Sequence, residues 1–167
     1  MTIGEPAQTA ARSPRSDAKT DHDGVPQLRW TGDRAEIELA LRLREQVFCD
    51  EQGVPRSDER DELDDRARHM VAITPDGRVV GTLRLLVCEG LARIGRIVVD
   101  ARWRRRGIAI GMLGMALEAA RESDCGEARL AAQLQAIELY RQAGFTAASE
   151  PFEEVGITHV WMRRPLA

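Results

Sequence analysis

At 167 residues, 43% hydrophobic and 31% charged, with a formal net charge of −3, the chain is long enough for one domain with a real core and short for two. The acidic total excludes general nucleic-acid binding. No apolar run approaches the roughly 18 residues of a membrane span, and the N-terminus lacks a secretory apolar region. Cys49, Cys88 and Cys125 are far apart and odd in number, so they fit neither a disulfide framework nor a zinc site, and a cytoplasmic, metal-free protein is expected.

Residues 1–27, rich in Thr, Ala, Ser, Pro and Asp and without periodicity, read as a disordered tail ahead of one domain over 28–167. Leu28-Arg29-Trp30 reads as a first strand. Asp33 and Glu36 make a capping box for a helix whose apolar face is Ile37, Leu41, Leu43, Val47 and Phe48, ending near Gly53 and Pro55. Segment 57–65, SDERDELDD, holds six acidic side chains and one Arg and is expected to be an exposed loop or short helix. Three strands follow at His69–Ile73, Val79–Val87 and Leu91–Val99, an antiparallel meander joined by turns. A helix runs from Gly107 to about Ser123 on the stripe Ile108, Met112, Met115, Ala116 and Ala119. Its interior Gly111 and Gly114 each cost about 1 kcal/mol against Ala, which close packing on the sheet would offset. Ala128–Ala132 is a strand, Gln135–Ala143 a helix closed by Gly144, and Phe145–Ala148 and Thr158–Met162 are final strands around a loop with Glu153 and Glu154. The fold class is therefore α/β of the α+β kind: a mixed, mostly antiparallel sheet of six to seven strands flanked by helices on both faces.

The organising stretch is Ile97-Val98-Val99 followed by Arg104-Arg105-Arg106-Gly107-Ile108-Ala109, an apolar strand, an R-x-x-G-x-A turn and a helix. Such a turn suits a diphosphate, because amides converge at a helix N-terminus and the dipole favours negative charge. Taken alone it leaves other readings open. A dinucleotide fold would need G-x-G-x-x-G and an acidic residue about 20 residues on, both missing. A nucleic-acid patch would use the arginines with Trp103 as a stacking platform.

The stretch resembles the acyl-CoA-binding motif of the GCN5-related N-acetyltransferase (GNAT) superfamily. Val99, Arg104, Gly107 and Ala109 fall on it in register, Ala109 standing where Gly is commoner. AAQLQAIELYRQAGF, residues 131–145, resembles the family's second motif, with Gln133 at the Asn position and Ala136, Tyr140, Gly144 and Phe145 matching. LRLREQVFCDEQGVP, the acidic loop ending in His69, IGRIVV and GITHVWM are similar to the ElaA-like subgroup.

The resemblance implies a GNAT fold and an acyltransferase that moves an acetyl group from acetyl-CoA to a primary amine, on a small molecule or a peptide or protein, by direct attack in a ternary complex. Coenzyme A is the product, and no metal, nucleic acid or membrane takes part. A monomer or homodimer is expected. In this reading Arg104, Arg105, Arg106, Gly107, Ile108 and Ala109 hold the pyrophosphate, Ile97, Val98 and Val99 hold the pantetheine, and Gln133 also touches the carrier. Tyr140 is the general acid for the departing thiolate. The candidates for the base are Glu51, at the end of the first helix, and His69, entering a strand, while His159 alternates with buried neighbours and reads as structural. The acidic loop would steer a cationic amine weakly. The competing reading is a non-catalytic acyl-CoA sensor, and Tyr140 discriminates the two.

Overall fold

The computed structural model describes residues 24–166. Of the tail expected over 1–27, residues 1–23 lie outside the described residues, and 24–26 lead into β1 (Gln27–Thr31). α1 (Arg34–Arg44) starts where expected, with the Asp33 carboxylate accepting the Glu36 N–H at 3.0 Å. The second half of the capping box does not form. Arg29 and Thr31 hold the Glu36 carboxylate, and the Asp33 N–H donates to Thr31 Oγ1 instead. An arginine on the preceding strand offers that carboxylate a charged partner, which outcompetes a neutral amide. α1 continues as a wider π-type turn over Glu45–Glu51 and closes at Gly53, φ +77°.

After α1 come the one-turn helix α2 (Arg56–Glu59) and a 3₁₀ turn at Glu62–Asp65. The meander β2 (Arg68–Ile73), β3 (Val79–Cys88) and β4 (Leu91–Val99) follows as expected. Then come α3 (Ile108–Glu122), β5 (Glu127–Gln133), α4 (Ile137–Gln142), β6 (Thr146–Ala147), β7 (Phe152–Glu154) and β8 (Ile157–Pro165). The eight strands form one mixed sheet in the order β1-β2-β3-β4-β5-β8-β6, with β7 also pairing β8. The strand beyond the expected six to seven is β7, from the loop that carries Glu153 and Glu154. Among the described residues no helix is long and apolar enough to cross a membrane.

Every pairing is antiparallel except β4 with β5, where α3 supplies the crossover that parallel strands require. That pairing is short. It runs from Leu91 with Glu127 to Arg93 with Arg129 and then stops. Just beyond, β4 bulges: Thr82 of β3 faces Val98 and Arg84 faces Gly95, so Arg96 and Ile97 together oppose Leu83. Arg96 sits at φ +53°. A bulge bends the strand that carries it, and β4 parts from β5 to leave a V-shaped opening in mid-sheet.

α3 packs on one face, where Met112, Leu113 and Ala116 meet Met70, Leu83, Leu85, Ile94 and Leu130, all buried. α1 covers the other face over β2 to β4, with Leu43 and Val47 against Val98. The two helix glycines differ. A Cβ at Gly111 would come 2.7 Å from Leu28 Cδ1, as expected for close packing, whereas one at Gly114 meets nothing within 4 Å. Gly114 is exposed, so packing does not account for it. Gly114→Ala should therefore raise unfolding free energy by about 0.5–1 kcal/mol in urea titrations, by restricting the unfolded chain and favouring helix. A loss of stability would mean that an unseen contact needs the glycine.

The acidic segment forms the short helical turns expected as one alternative, with Asp58, Glu62 and Asp65 exposed, but Glu59, Asp61 and Asp64 turn inward. Arg44, at the end of α1 and 1% exposed, grips Glu59, also 1% exposed, and donates to Asp64 Oδ1 at 2.6 Å. Arg84 on β3 donates to Asp61 at 2.6 Å and to Asp64 at 2.9 Å. Arg96, at the bulge, donates to Asp61 at 3.2 Å and to the Glu59 carbonyl at 3.2 Å. Three guanidiniums thus face three carboxylates, and the network ties α1, α2 and the bulge together. Half the acidic charge of 57–65 is neutralised here, which removes about half of the steering field expected of that loop.

Candidate active site

The V opens into a cleft of about 960 Å³. One wall is the end of β4, whose inner edge pairs with β3 while its outer edge, beyond Arg93, has no strand partner among the described residues. An unpaired strand edge offers N–H and C=O groups to an extended ligand. Ile97, Val98 and Val99 all line the cleft, as do Arg104, Arg105, Gly107, Ile108 and Ala109.

The turn into α3 is built by short-range bonds. The Asp100 carboxylate caps a 3₁₀ turn by accepting the Arg102 N–H at 2.9 Å, and the Trp103 N–H donates to the Asp100 carbonyl at 2.8 Å. Trp103 is then buried, with the Arg106 guanidinium 4.7 Å from its ring centroid. A buried indole under an arginine cannot stack a base, so the nucleic-acid reading loses its platform. Arg105 and Gly107 take left-handed conformations, φ +64° and +79°. From residue 104 onward, the first backbone N–H to find a protein acceptor among the described residues is that of Gly111, on Gly107 O at 3.0 Å. The amides of residues 104–110 donate to no protein group among the described residues. Orphan amides at a helix start are an anion site. They are not consumed by first-turn helix bonds.

Arg104 is held by two contacts: its Nε donates to the Val99 carbonyl at 2.9 Å and its Nη2 to Glu51 at 2.7 Å. Glu51 therefore braces the turn from outside and does not line the cleft. His69 does not line it either. It is buried on β2, and its Nε2 donates to the Asp64 carbonyl at 2.8 Å, on the edge of the ionic network. The two base candidates thus serve the turn and the network.

The opposite wall comes from β5, β8 and α4. Gln133 lines the cleft with its amide fixed, donating to Gln52 Oε1 at 2.8 Å and accepting from Gln135 at 2.8 Å. Tyr140 borders the cleft from α4 at 8% exposure, its ring edge-on to Phe145 with centroids 6.3 Å apart. Its hydroxyl has no hydrogen-bond partner among the described residues, and burial pushes its pKa up to about 12. The phenol is therefore a neutral donor throughout the physiological range.

His159 is the residue that pattern reading set aside. It lies on β8 opposite Gln133, half-buried, lines the cleft and stacks on Phe152 at 5.8 Å. Its Nδ1 lies 2.8 Å from the Ile157 carbonyl. A carbonyl only accepts, so Nδ1 carries the hydrogen and Nε2 presents a lone pair in the neutral ring. Val160 and Met162 are buried in the core, so alternation sets His159 on the other face of β8, and on this splayed sheet that face lines the cleft.

Comparison with known proteins agrees with this geometry. Residues 31–166 match the family model of the acetyltransferase (GNAT) domain. The uncharacterized N-acetyltransferase YjcF of Bacillus subtilis is 34% identical over 131 residues, 77% of this chain and 92% of that protein. A crystal structure of an acyl-CoA N-acyltransferase from Pseudomonas aeruginosa superposes with a TM-score of 0.73 at 34% identity, covering 83% of this chain and 99% of that one. Escherichia coli ElaA superposes with a TM-score of 0.74 at 26% identity, over 83% and 99%. With the amide cradle, the splayed strands and these likenesses in hand, the chain belongs to the GNAT family of acetyl-CoA-dependent acetyltransferases.

Proposed function

We propose that the protein acetylates a primary amine, of a small molecule or a peptide or protein, by direct attack in a ternary complex with acetyl-CoA. The observation that carries this reading is the row of unpaired amides at residues 104–110, at the open end of the cleft between the splayed strands. A diphosphate fits them because seven N–H groups and the α3 dipole lack a counter-anion. The free edge of β4 at 97–99 suits the amides of a pantetheine arm, and Gln133, steadied by Gln52, closes the far wall.

Only about one lysine-like amine in a thousand is neutral at pH 7, so shedding its proton is part of the work. Solvent takes the first proton of the ammonium. The neutral amine nitrogen then bonds to the thioester carbonyl carbon, the C=O π pair moving to oxygen, as His159 Nε2 takes a second proton from that nitrogen. The oxygen pair re-forms C=O as the C–S bond breaks, the C–S pair stays on sulfur, and the Tyr140 O–H passes a proton to it. Solvent returns a proton to Tyr140 and removes one from His159. No Cys or Ser lines the cleft among the described residues, which favours direct attack over an acyl-enzyme.

The test is thiol release from acetyl-CoA with a panel of amines, alongside calorimetric titration of coenzyme A. Gly107→Val should weaken coenzyme affinity about tenfold, because a β-branched residue at φ +79° is strained and reshapes the cradle. Undiminished affinity would remove the cradle from the reading. His159→Gln should lower kcat/KM about tenfold, below the usual effect of a positioned base, because solvent in an open cleft also takes the proton. Coenzyme binding with no release from any amine would favour a sensor.

A further inference from the structure

Beyond the vertex of the V, the sheet face that carries α1 over β2 to β4 continues across β5 and β8 and presents three arginines at one level. Arg93 on β4 is the register partner of Arg129 on β5, and Arg129 is the partner of Arg163 on β8. All three are exposed. Like charges directly opposite one another across strands repel, so an arginine row over three strands needs counter-charge. The structure supplies one carboxylate: Glu127 is paired with Arg129 and lies 3.8 Å from Arg163 Nη1. Arg93 has no carboxylate partner among the described residues, its guanidinium standing 6.0 Å from the Trp161 ring centroid. The row lines a hollow of about 640 Å³ bordered by Trp161, Ala147 and Ala148. Arg93, Arg129 and Trp161 also line the main cleft, so hollow and cleft adjoin across these side chains. Of the carboxylates on the cleft, Asp61 is taken by Arg84 and Arg96, Glu138 lies 3.9 Å from Arg141, and Glu154 stands on β7 away from the arginine row.

We infer that this hollow is an anion subsite for the acceptor. It holds a carboxylate or phosphate through Arg93, Arg129 and Arg163 while the primary amine of the same molecule reaches past the vertex toward His159. The acceptor is then an anionic amine, as opposed to a polyamine. Planar guanidiniums bind carboxylate and phosphate with paired N–H donors, and Trp161 offers an apolar wall to the linking carbons. This rests on the amine-acetylation reading above.

Thiol release from acetyl-CoA is measured with two matched pairs, β-alanine against β-alaninamide and O-phosphoethanolamine against ethanolamine, and with putrescine as a dication. At least one anionic member should exceed its neutral partner by about tenfold or more in kcat/KM. The pair that responds separates carboxylate from phosphate. Arg93→Gln and Arg163→Gln should each lower that anionic-to-neutral ratio about tenfold, through KM for the acceptor. Putrescine or the neutral amines performing equally well, or both variants lowering both members alike, would overturn the subsite. If no amine releases thiol although coenzyme A binds, the acetylation reading fails by itself. The subsite is then decided by thermal shift with O-phosphoethanolamine: a rise in Tm that Arg93→Gln abolishes keeps it, and no rise removes it.

Discussion

Arg44→Met will cost the domain about 3–5 kcal/mol, measured by urea unfolding at pH 7. Arg44 sits at the end of α1 with Glu59 and Asp64 on its guanidinium, and both it and Glu59 are 1% exposed. Methionine fills much of the same volume, so the loss is electrostatic. It leaves Glu59 with Arg96 at 3.9 Å as its nearest cation and with Oε2 already unpartnered. A buried charge without its partner is far costlier than the intact pair is beneficial. Domains of this size are stable by only about 5–15 kcal/mol, so the variant loses a large share of the total. A loss under about 1 kcal/mol would show that the network does not hold α1 to the bulge.

The same network predicts an acid limb. Burial alone would raise the Asp64 carboxyl, but hydrogen bonds and charge from Arg44, then Arg84, outweigh it and hold that carboxyl well below the usual carboxylate range. A carboxyl lowered in the folded state stabilises the fold above its unfolded pKa of about 3.9, and that stabilisation is lost as pH falls further. Urea midpoints should therefore decline below pH about 4. Asp64→Asn should be less stable at neutral pH and show a flatter acid slope.

Tyr140→Phe should lower kcat about 10²- to 10³-fold with the KM for acetyl-CoA changed less than about twofold. The substitution is unusually clean. The hydroxyl has no protein partner among the described residues, so its removal strands no buried donor or acceptor, and the ring keeps its edge-on packing with Phe145. Unfolding free energy should stay within about 0.5 kcal/mol of the parent, which ties any loss of turnover to chemistry. With a phenol pKa of about 12, the alkaline side of the pH–rate profile should show no fall near pH 10 from this group. Unchanged turnover would leave Tyr140 as a packed core residue and the thiolate to solvent.

Much of this site could be read from the chain because its parts are local. The R-x-x-G-x-A turn, the helix after it, and Tyr140 a fixed distance before Gly144 are short-range patterns, and each lies on the cleft. Other residues misled for reasons of distance. Segment 57–65 reads as solvated acid because its three arginines come from residues 44, 84 and 96. His69 and His159 look alike as strand histidines, yet one is buried against the Asp64 carbonyl and the other lines the opening, since strand parity does not tell which face is covered. Gly111 and Gly114 carry the same propensity penalty, and only packing separates them.

By itself, then, the sequence determined the family, the mixed sheet and the anion-ready turn, because backbone conformation, helix capping and free amides follow from residues within a few positions of one another. The tertiary structure decided the rest. The V where β4 leaves β5, the part-buried six-charge network and the arginine row of residues 93, 129 and 163 all depend on strand register and on pairing between residues dozens of positions apart. Register moves whole sets of side chains from one face to the other, and no local pattern specifies it across a sheet.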